Sequence, residues 1–238
     1  MKKHIPNLLT CGNLFCGCLG IIFVLQDQNL LLASIMIFAA ALFDFLDGFA
    51  ARLLRVTSAI GKDLDSLADC VTFGLLPGFI ILSIMENDFL IQKSEENLLF
   101  THAIFLSALL IPVFSVLRLA KFNNDTRQTN SFIGLTTTAN GILIGSFPII
   151  LIQFPSSSLI FYNIYFQLGF IALMCFLMVS EIPLFSFKIK SFSFAPNKIV
   201  YIFLLLSIIL LIFLQSLAIP ILIAVYILIS IFKNMKII

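Results

Sequence analysis

Tryptophan is absent from this 238-residue chain, tyrosine occurs four times, and only 11% of the residues carry charge. So little charge excludes an ordinary soluble domain, in which about a quarter of residues are charged. With 61% hydrophobic residues and a mean hydropathy of +1.12, the chain reads as one integral membrane domain of the polytopic class. The near lack of Trp and Tyr removes the usual aromatic belt at the membrane interfaces, and the 27 phenylalanines read as filler for lipid-facing or core surfaces. The two histidines, His4 and His102, are too peripheral for a histidine-based site and read as incidental. Cys11, Cys16, Cys18, Cys70 and Cys175 all lie in apolar runs, so no disulfide framework is expected. No second Cys or His pair accompanies Cys16-x-Cys18 at zinc spacing. Neither a low-complexity linker nor a repeat divides the chain. Lys2 and Lys3 precede an apolar run in the manner of a signal peptide, but Asn and Gly interrupt that run and no clean cleavage site follows, so it is expected to stay in the chain.

What is present is apolar length. Runs near 8–25, 30–53, 66–85, 101–121, 133–154, 160–184, 198–215 and 217–233 approach the ~20 residues a spanning helix needs. They predict an all-α membrane protein of about eight transmembrane helices. Lys2, Lys3, Arg52, Arg55, Lys62, Arg118, Lys121, Arg127, Lys188, Lys190, Lys198, Lys233 and Lys236 fall at loops on one side, and Lys93 on the other. The positive-inside rule then places both termini in the cytoplasm and the acidic 86–98 loop outside. Residues 1 to about 150 hold nearly all the intramembrane polar groups, whereas 198–238 is almost pure Leu and Ile. Function is therefore sought in the first part, with 1–195 as a membrane core and 196–238 as two added C-terminal helices.

Against this background the stretch DFLDGFAARLLRVTSAIGKDLDSLAD, residues 44–69, carries five aspartates. At 100° per residue, Asp44, Asp47, Gly48, Ala51 and Arg55 share one helical face. Asp65 and Asp69, spaced i and i+4, share another, while Asp63 points elsewhere. An antiparallel hairpin between a helix ending near 53 and one starting near 66 brings four carboxylates together at the cytoplasmic boundary. Such charges repel unless cations intervene, and hard divalent ions with oxygen ligands are the natural solution. Two Mg²⁺ or Mn²⁺ ions, about 3.5–4 Å apart, would clamp both ends of a phosphoryl displacement. Gly48 and Ala51 leave room for a phosphate to approach, and Arg52 and Arg55 can neutralise its remaining charge. The competing reading, an ion or proton path lined by intramembrane acids, extends to a divalent-cation transporter.

Asp44-x-x-Asp47-Gly48-x-x-Ala51-Arg52, then eight residues, then Gly61-x-x-x-Asp65-x-x-x-Asp69 resembles the signature of the CDP-alcohol phosphatidyltransferase family at its eight fixed positions. The resemblance implies a six-helix membrane core, usually dimeric, that binds a CDP-linked lipid and transfers its phosphatidyl group to an alcohol with release of CMP. It implies Asp44, Asp47, Asp65 and Asp69 as metal ligands, with Asp69 also the general base. Gly48, Arg52 and Ser58 are implied as contacts to the nucleotide or its phosphates. Asn7, Thr10 and Asn13, recurring every three residues, form a polar stripe expected either to touch the cytidine or only to cap and pack.

The segments IPNLLTCGNLFCG at 5–17, LDSLADCVTFGLLPG at 64–78 and VLRLAKFN at 116–123 resemble the bacterial-type branch of that family whose acceptor is serine. CDP-diacylglycerol and L-serine are the substrates this implies, a homodimer in the bacterial inner membrane the expected setting, and nucleic acid is not an expected partner. The serine carboxylate needs a cation, for which Arg118, Lys121 and Arg127 are candidates, Arg118 first because it lies within the apolar run. Two departures from the branch are Lys121 at a position usually Arg, which loses the bidentate fork, and GLTTTANG at 134–141 in place of a Pro-rich segment. Alternatives are glycerol 3-phosphate or inositol phosphate as acceptor. Intramembrane prenyltransferases also bind diphosphates through Asp and Mg²⁺, but their acidic motifs lie far apart in sequence.

Overall fold

The computed structural model describes residues 4–56, 58–86, 103–125, 131–185 and 194–234. Helix α1 (His4–Leu25) turns at Gln28 (φ 49) into α2 (Leu30–Leu54), with which it packs as a hairpin. Asn29 caps α2, its Oδ1 accepting from the Leu32 N–H at 3.0 Å. At the other end Arg55 adopts a left-handed conformation (φ 53) and its N–H closes on the carbonyls of Ala51 and Arg52. The chain then starts α3 (Ala59–Asp69), capped by Ser58, whose Oγ accepts from the Gly61 N–H at 3.0 Å. The apolar run alone predicts a start near 66. The capping serine moves the start to Ala59, so the polar first turns of α3 carry Lys62, Asp63 and Asp65 as helix rather than loop.

Immediately after Asp69 the helix widens into a π turn, Cys70–Leu75, before resuming as α4 (Leu76–Glu86). The Leu76 N–H reaches the Val71 carbonyl, and the next residue, Pro77, supplies the reason. A proline ring within a helix clashes with the carbonyl four residues back and has no N–H to give, and one extra residue in the turn relieves both problems. The α3–α4 unit is the centre of the bundle, burying Phe73, Leu76, Ile80, Ile81, Ile84 and Met85.

A 3₁₀ turn, Ser107–Leu109, leads into α5 (Leu110–Asn124). Strands β1 (Ser131–Ile133) and β2 (Pro183–Phe185) pair antiparallel, with Phe132 opposite Leu184, a small addition to an otherwise helical chain. Between them lie α6 (Thr137–Gln153), capped by Thr136, and, after a 120° bend, a 3₁₀ turn Pro155–Ser157, α7 (Ser158–Phe161) and α8 (Ile164–Val179). Helices α9 (Phe194–Leu214) and α10 (Ala218–Asn234) end the described chain.

Among the described residues five helical stretches are long and apolar enough to cross a membrane: His4–Leu25, Leu30–Leu54, Ile60–Glu86, Ala103–Asn124 and Val200–Phe232. The bent pair Thr137–Gln153 and Pro155–Phe161 makes a sixth if taken as one span. The protein is an all-α, polytopic integral membrane protein. The last of these stretches is not straight. Gln215 has φ 51, and the Phe203 ring lies 6.1 Å from that of Tyr226, whereas in one continuous helix residues 203 and 226 would stand about 35 Å apart. Val200 and Phe203 pack on Leu222, Val225 and Ile229, so α9 and α10 form a hairpin.

Small residues set how closely the central helices approach. A Cβ on Gly74 would lie 3.0 Å from the Ser115 Cβ of α5, and one on Gly141 of α6 would lie 2.8 Å from the Phe73 ring and 3.1 Å from its Cα. Gly141→Val is therefore expected to lower stability by about 1–3 kcal/mol, as overpacking does. Gly169→Ala, where an added Cβ meets nothing within 4 Å, is expected to leave stability unchanged or slightly raised. Thermal unfolding of both variants in detergent checks the pair.

Candidate active site

The turn between α2 and α3 delivers the acids of the two helices to one end of the bundle. Asp44, Asp47 and Asp65 each place a carboxylate oxygen so that all three lie within 4.8 Å of one another. Asp47 is buried, Asp44 and Asp65 are half-buried, and Asp63 is exposed outside the group. Asp69 is buried one turn further in and stands outside that trio, though near enough to feel the charges of Asp44, Asp65 and Asp47.

Helix α1 holds two of the acids. Thr10 Oγ1 donates to Asp47 Oδ2 at 2.6 Å, and Asn13 Nδ2 donates to Asp69 Oδ1 at 3.2 Å. Asn13 is itself fixed, because its backbone carbonyl accepts from Thr72 Oγ1 at 3.2 Å within the π turn. The stripe expected either to touch the nucleotide or to pack does some of each: Asn7 and Thr10 line a cavity, and Thr10 and Asn13 orient carboxylates.

Asp65 Oδ1 is buried and has no hydrogen-bond partner among the described residues. An orphaned carboxylate oxygen beside two further acids is a donor set that fits a hard divalent cation. Asp44, Asp47 and Asp65 could hold such an ion.

Beside the acids opens a cavity of about 420 Å³, walled by α1 at Asn7 and Thr10, by α2 at Asp47, Gly48 and Ala51, and by α3 with its capping loop at Ser58, Gly61, Lys62 and Asp65. A Cβ added to Gly48 would meet nothing within 4 Å, so that face of α2 is open. At Gly61 a Cβ would lie 2.8 Å from Ser58 Oγ and 3.0 Å from Asn7 Oδ1, and glycine lets both groups close over the helix start. Asn7, Gly48, Ala51 and Ser58 all line this cavity, and the Ser58 hydroxyl is occupied as a cap. Arg52 is exposed in the last turn of α2 and is not among the residues walling the cavity.

Lys62 is the residue the sequence reading did not single out. It lines the cavity, and its Nζ donates to the Asn123 carbonyl at 3.1 Å. Its spacing of three residues before Asp65 puts it on the same helical face, which is the signal that marks it. Asn123 Nδ2 in turn donates to Ser66 Oγ at 2.8 Å, tying the end of α5 to α3.

Of the predicted cations, Arg118 is buried, with its Cζ 4.8 Å from the Phe122 ring centroid. Its Nε has no partner among the described residues, and it lies near enough to Asp69 to feel that charge. Lys121 turns to the end of α8, donating to the Val179 carbonyl at 3.2 Å and pairing with Glu181 at 3.5 Å. Arg127, like His102, lies outside the described residues.

Residues 3–180 match the CDP-alcohol phosphatidyltransferase family, and the chain belongs to that family. It is 35% identical over 144 residues, 60% of this chain and 73% of the relative, to the CDP-diacylglycerol–serine O-phosphatidyltransferase of Bacillus subtilis. A Helicobacter pylori protein of the same name is 32% identical over 201 residues, 84% of this chain and 79% of the relative. The archaetidylserine synthase of Methanothermobacter thermautotrophicus is 33% identical over 145 residues, 60% of this chain and 57% of the relative.

Thr10→Val keeps the shape of the side chain and removes the 2.6 Å bond to Asp47. It is expected to weaken Mn²⁺ binding by about 10- to 100-fold, the usual effect of losing a group that orients a ligand. Titration followed by the Mn²⁺ paramagnetic resonance signal checks this without recourse to turnover.

Proposed function

We propose that the protein transfers the phosphatidyl group of CDP-diacylglycerol to L-serine, giving phosphatidylserine and CMP. The observation that carries this reading is the convergence of Asp44, Asp47 and Asp65 within 4.8 Å, with Asp69 beside them, at the mouth of an open cavity. Membership of the family and the names of the relatives in two bacterial lineages support the reaction and the acceptor.

In this reading two divalent ions, Mg²⁺ or Mn²⁺, held by Asp44, Asp47, Asp65 and Asp69, would supply charge neutralisation to the diphosphate. The chain's own residues do the rest. Gly48, Ala51, Ser58 and Asn7 shape the cavity that takes the nucleotide end, with Lys62 on its wall and Arg52, in the last turn of α2, as cations for the phosphates. Asn13 fixes one oxygen of Asp69, leaving the other to accept the proton of the serine hydroxyl. The serine oxygen bonds to the lipid-side phosphorus, the bond from that phosphorus to the bridging oxygen breaks, and CMP leaves with the electron pair. Arg118 takes the serine carboxylate. Rate comes from positioning and from placed charge.

The reading extends to the setting. Both termini and the acids face the cytoplasm of a bacterial cell whose inner membrane holds the protein, residues 1–195 form the catalytic core, 196–238 add a peripheral hairpin, and the working unit is a homodimer. The basic residues on one side and the family resemblance support these assignments.

The test is purified protein with CDP-diacylglycerol and a panel of L-serine, glycerol 3-phosphate and inositol phosphate, reading CMP and the lipid product. Serine-dependent CMP release that stops on chelation of divalent metal is the expected result. Asp69→Asn, which keeps the shape and the Asn13 contact, is expected to lower turnover by about 10²- to 10⁴-fold, the range for a general base. Retained serine-dependent release by that variant would reject the role of Asp69.

A further inference from the structure

Outside the acids, four of the seven buried side-chain polar atoms without a partner among the described residues stand on two neighbouring helices, the other three being Asn13 Oδ1, Ser157 Oγ and Gln167 Oε1. Arg118 Nε on α5, and Thr137 Oγ1 with both side-chain polar atoms of Asn140 on α6, are buried and make no hydrogen bond among the described residues. Arg118 is 6% exposed, and Thr137 and Asn140 are 0% exposed. Buried polar groups are almost always paired, and each one that is not costs stability. A purely structural role leaves this group unexplained.

The helix register puts all three at the depth of Asp69. Helix α5 runs antiparallel to α3–α4, since Asn123 bonds to Ser66 and Ser115 abuts Gly74. Arg118, between Ser115 and Asn123 on α5, therefore stands level with the residues just after Asp69. Helix α6 runs parallel to α3. Its far end, Pro148 to Ile152, shares a cleft with the α1–α2 turn at Asp27 to Leu31, at the end of the bundle opposite the acids. Gly141 abuts Phe73, and one turn back along each helix from that contact stand Thr137 and Asp69. Asn140, three residues after Thr137, shares its face.

We propose that Arg118, Thr137 and Asn140 form the subsite for the head group of the acceptor, an α-amino acid zwitterion carrying a hydroxyl. The proposal rests on the reaction read above and adds Thr137 and Asn140 to it. The carboxylate takes N–H donors from Arg118 Nε and Asn140 Nδ2, the ammonium donates to Asn140 Oδ1 and Thr137 Oγ1, and the hydroxyl is left toward Asp69. One cation with a neutral amide and a neutral hydroxyl matches a zwitterion. A phosphate-bearing alcohol, with up to two negative charges, asks for more cations than this group offers. Because the Thr137 and Asn140 atoms are closed off, entry of the acceptor requires the first turn of α6 to part from α3.

Asn140→Leu in the full chain separates this subsite from a packing role. An unpaired buried amide exchanged for an apolar side chain of similar size leaves the melting temperature unchanged or raises it. If the amide holds the acceptor, KM for L-serine rises by about 10-fold or more while KM for CDP-diacylglycerol stays within about twofold. Thr137→Val is expected to act in the same direction, by about threefold or more, and carries the test if the leucine variant does not fold. A serine KM unchanged in the folded variants, or an equal loss for both substrates, overturns the subsite. If the unaltered protein releases CMP with no serine, or only with another alcohol, the reading of the reaction has failed instead.

Discussion

Repulsion among carboxylates in an apolar bundle is the constraint around which the rest of the molecule is arranged. Asp44, Asp47 and Asp65 lie within 4.8 Å of one another with Asp69 beside them. At such distances like charges disfavour one another, the more so where they are partly buried. A fold tolerates this where the surrounding packing holds the acids in place and a proton or a ligand of opposite charge relieves the repulsion. The packing requirement is met by ordinary local devices. The left-handed Arg55 and the Ser58 cap fold α3 back against α2 in a few residues, and the central α3–α4 unit is buried firmly enough to hold the register.

The π turn has a share in this. Pro77 forces the widening at Cys70–Leu75, and the widened turn offers Thr72 to the backbone of Asn13, which in turn holds Asp69. Pro77, buried in the first turn of α4, thus reaches the acid through two hydrogen bonds. Helix irregularities of this kind recur at functional sites, and here the physical route from the irregularity to the site can be followed atom by atom.

The sequence made the acids, their shared faces and the apolar spans legible because each is a matter of periodicity along one helix. Spacing of three and four residues fixes which side chains share a face whatever the helix packs against. What it left dark depends on contacts between distant segments. Nothing in the spacing of Thr10 and Asn13 says that they bond to Asp47 and Asp69 rather than to a nucleotide, since that requires the depth of α1 against α2 and α3. Lys62 was hidden because an apolar run starting near 66 places it in a loop, whereas the Ser58 cap makes it helical and turns it into the cavity. The fold-back at Gln215 follows the break between two apolar runs, but the short pair of strands at 131–133 and 183–185 had no alternating pattern long enough to announce it.

A division of labour between neutral and charged partners follows from the same electrostatics. Had α1 held Asp47 and Asp69 with lysine or arginine, each acid would have been neutralised within the protein and its attraction for a divalent cation weakened. Threonine and asparagine fix the carboxylates by hydrogen bonds and leave the negative charge in place. The cations near the site are kept off the acids by other engagements: Arg118 stacks on Phe122, Lys121 pairs with Glu181, and Lys62 reaches the Asn123 carbonyl. Positive charge is therefore available around the acids without cancelling them. That is the arrangement needed where cations must come from solution and anions must come from the substrate.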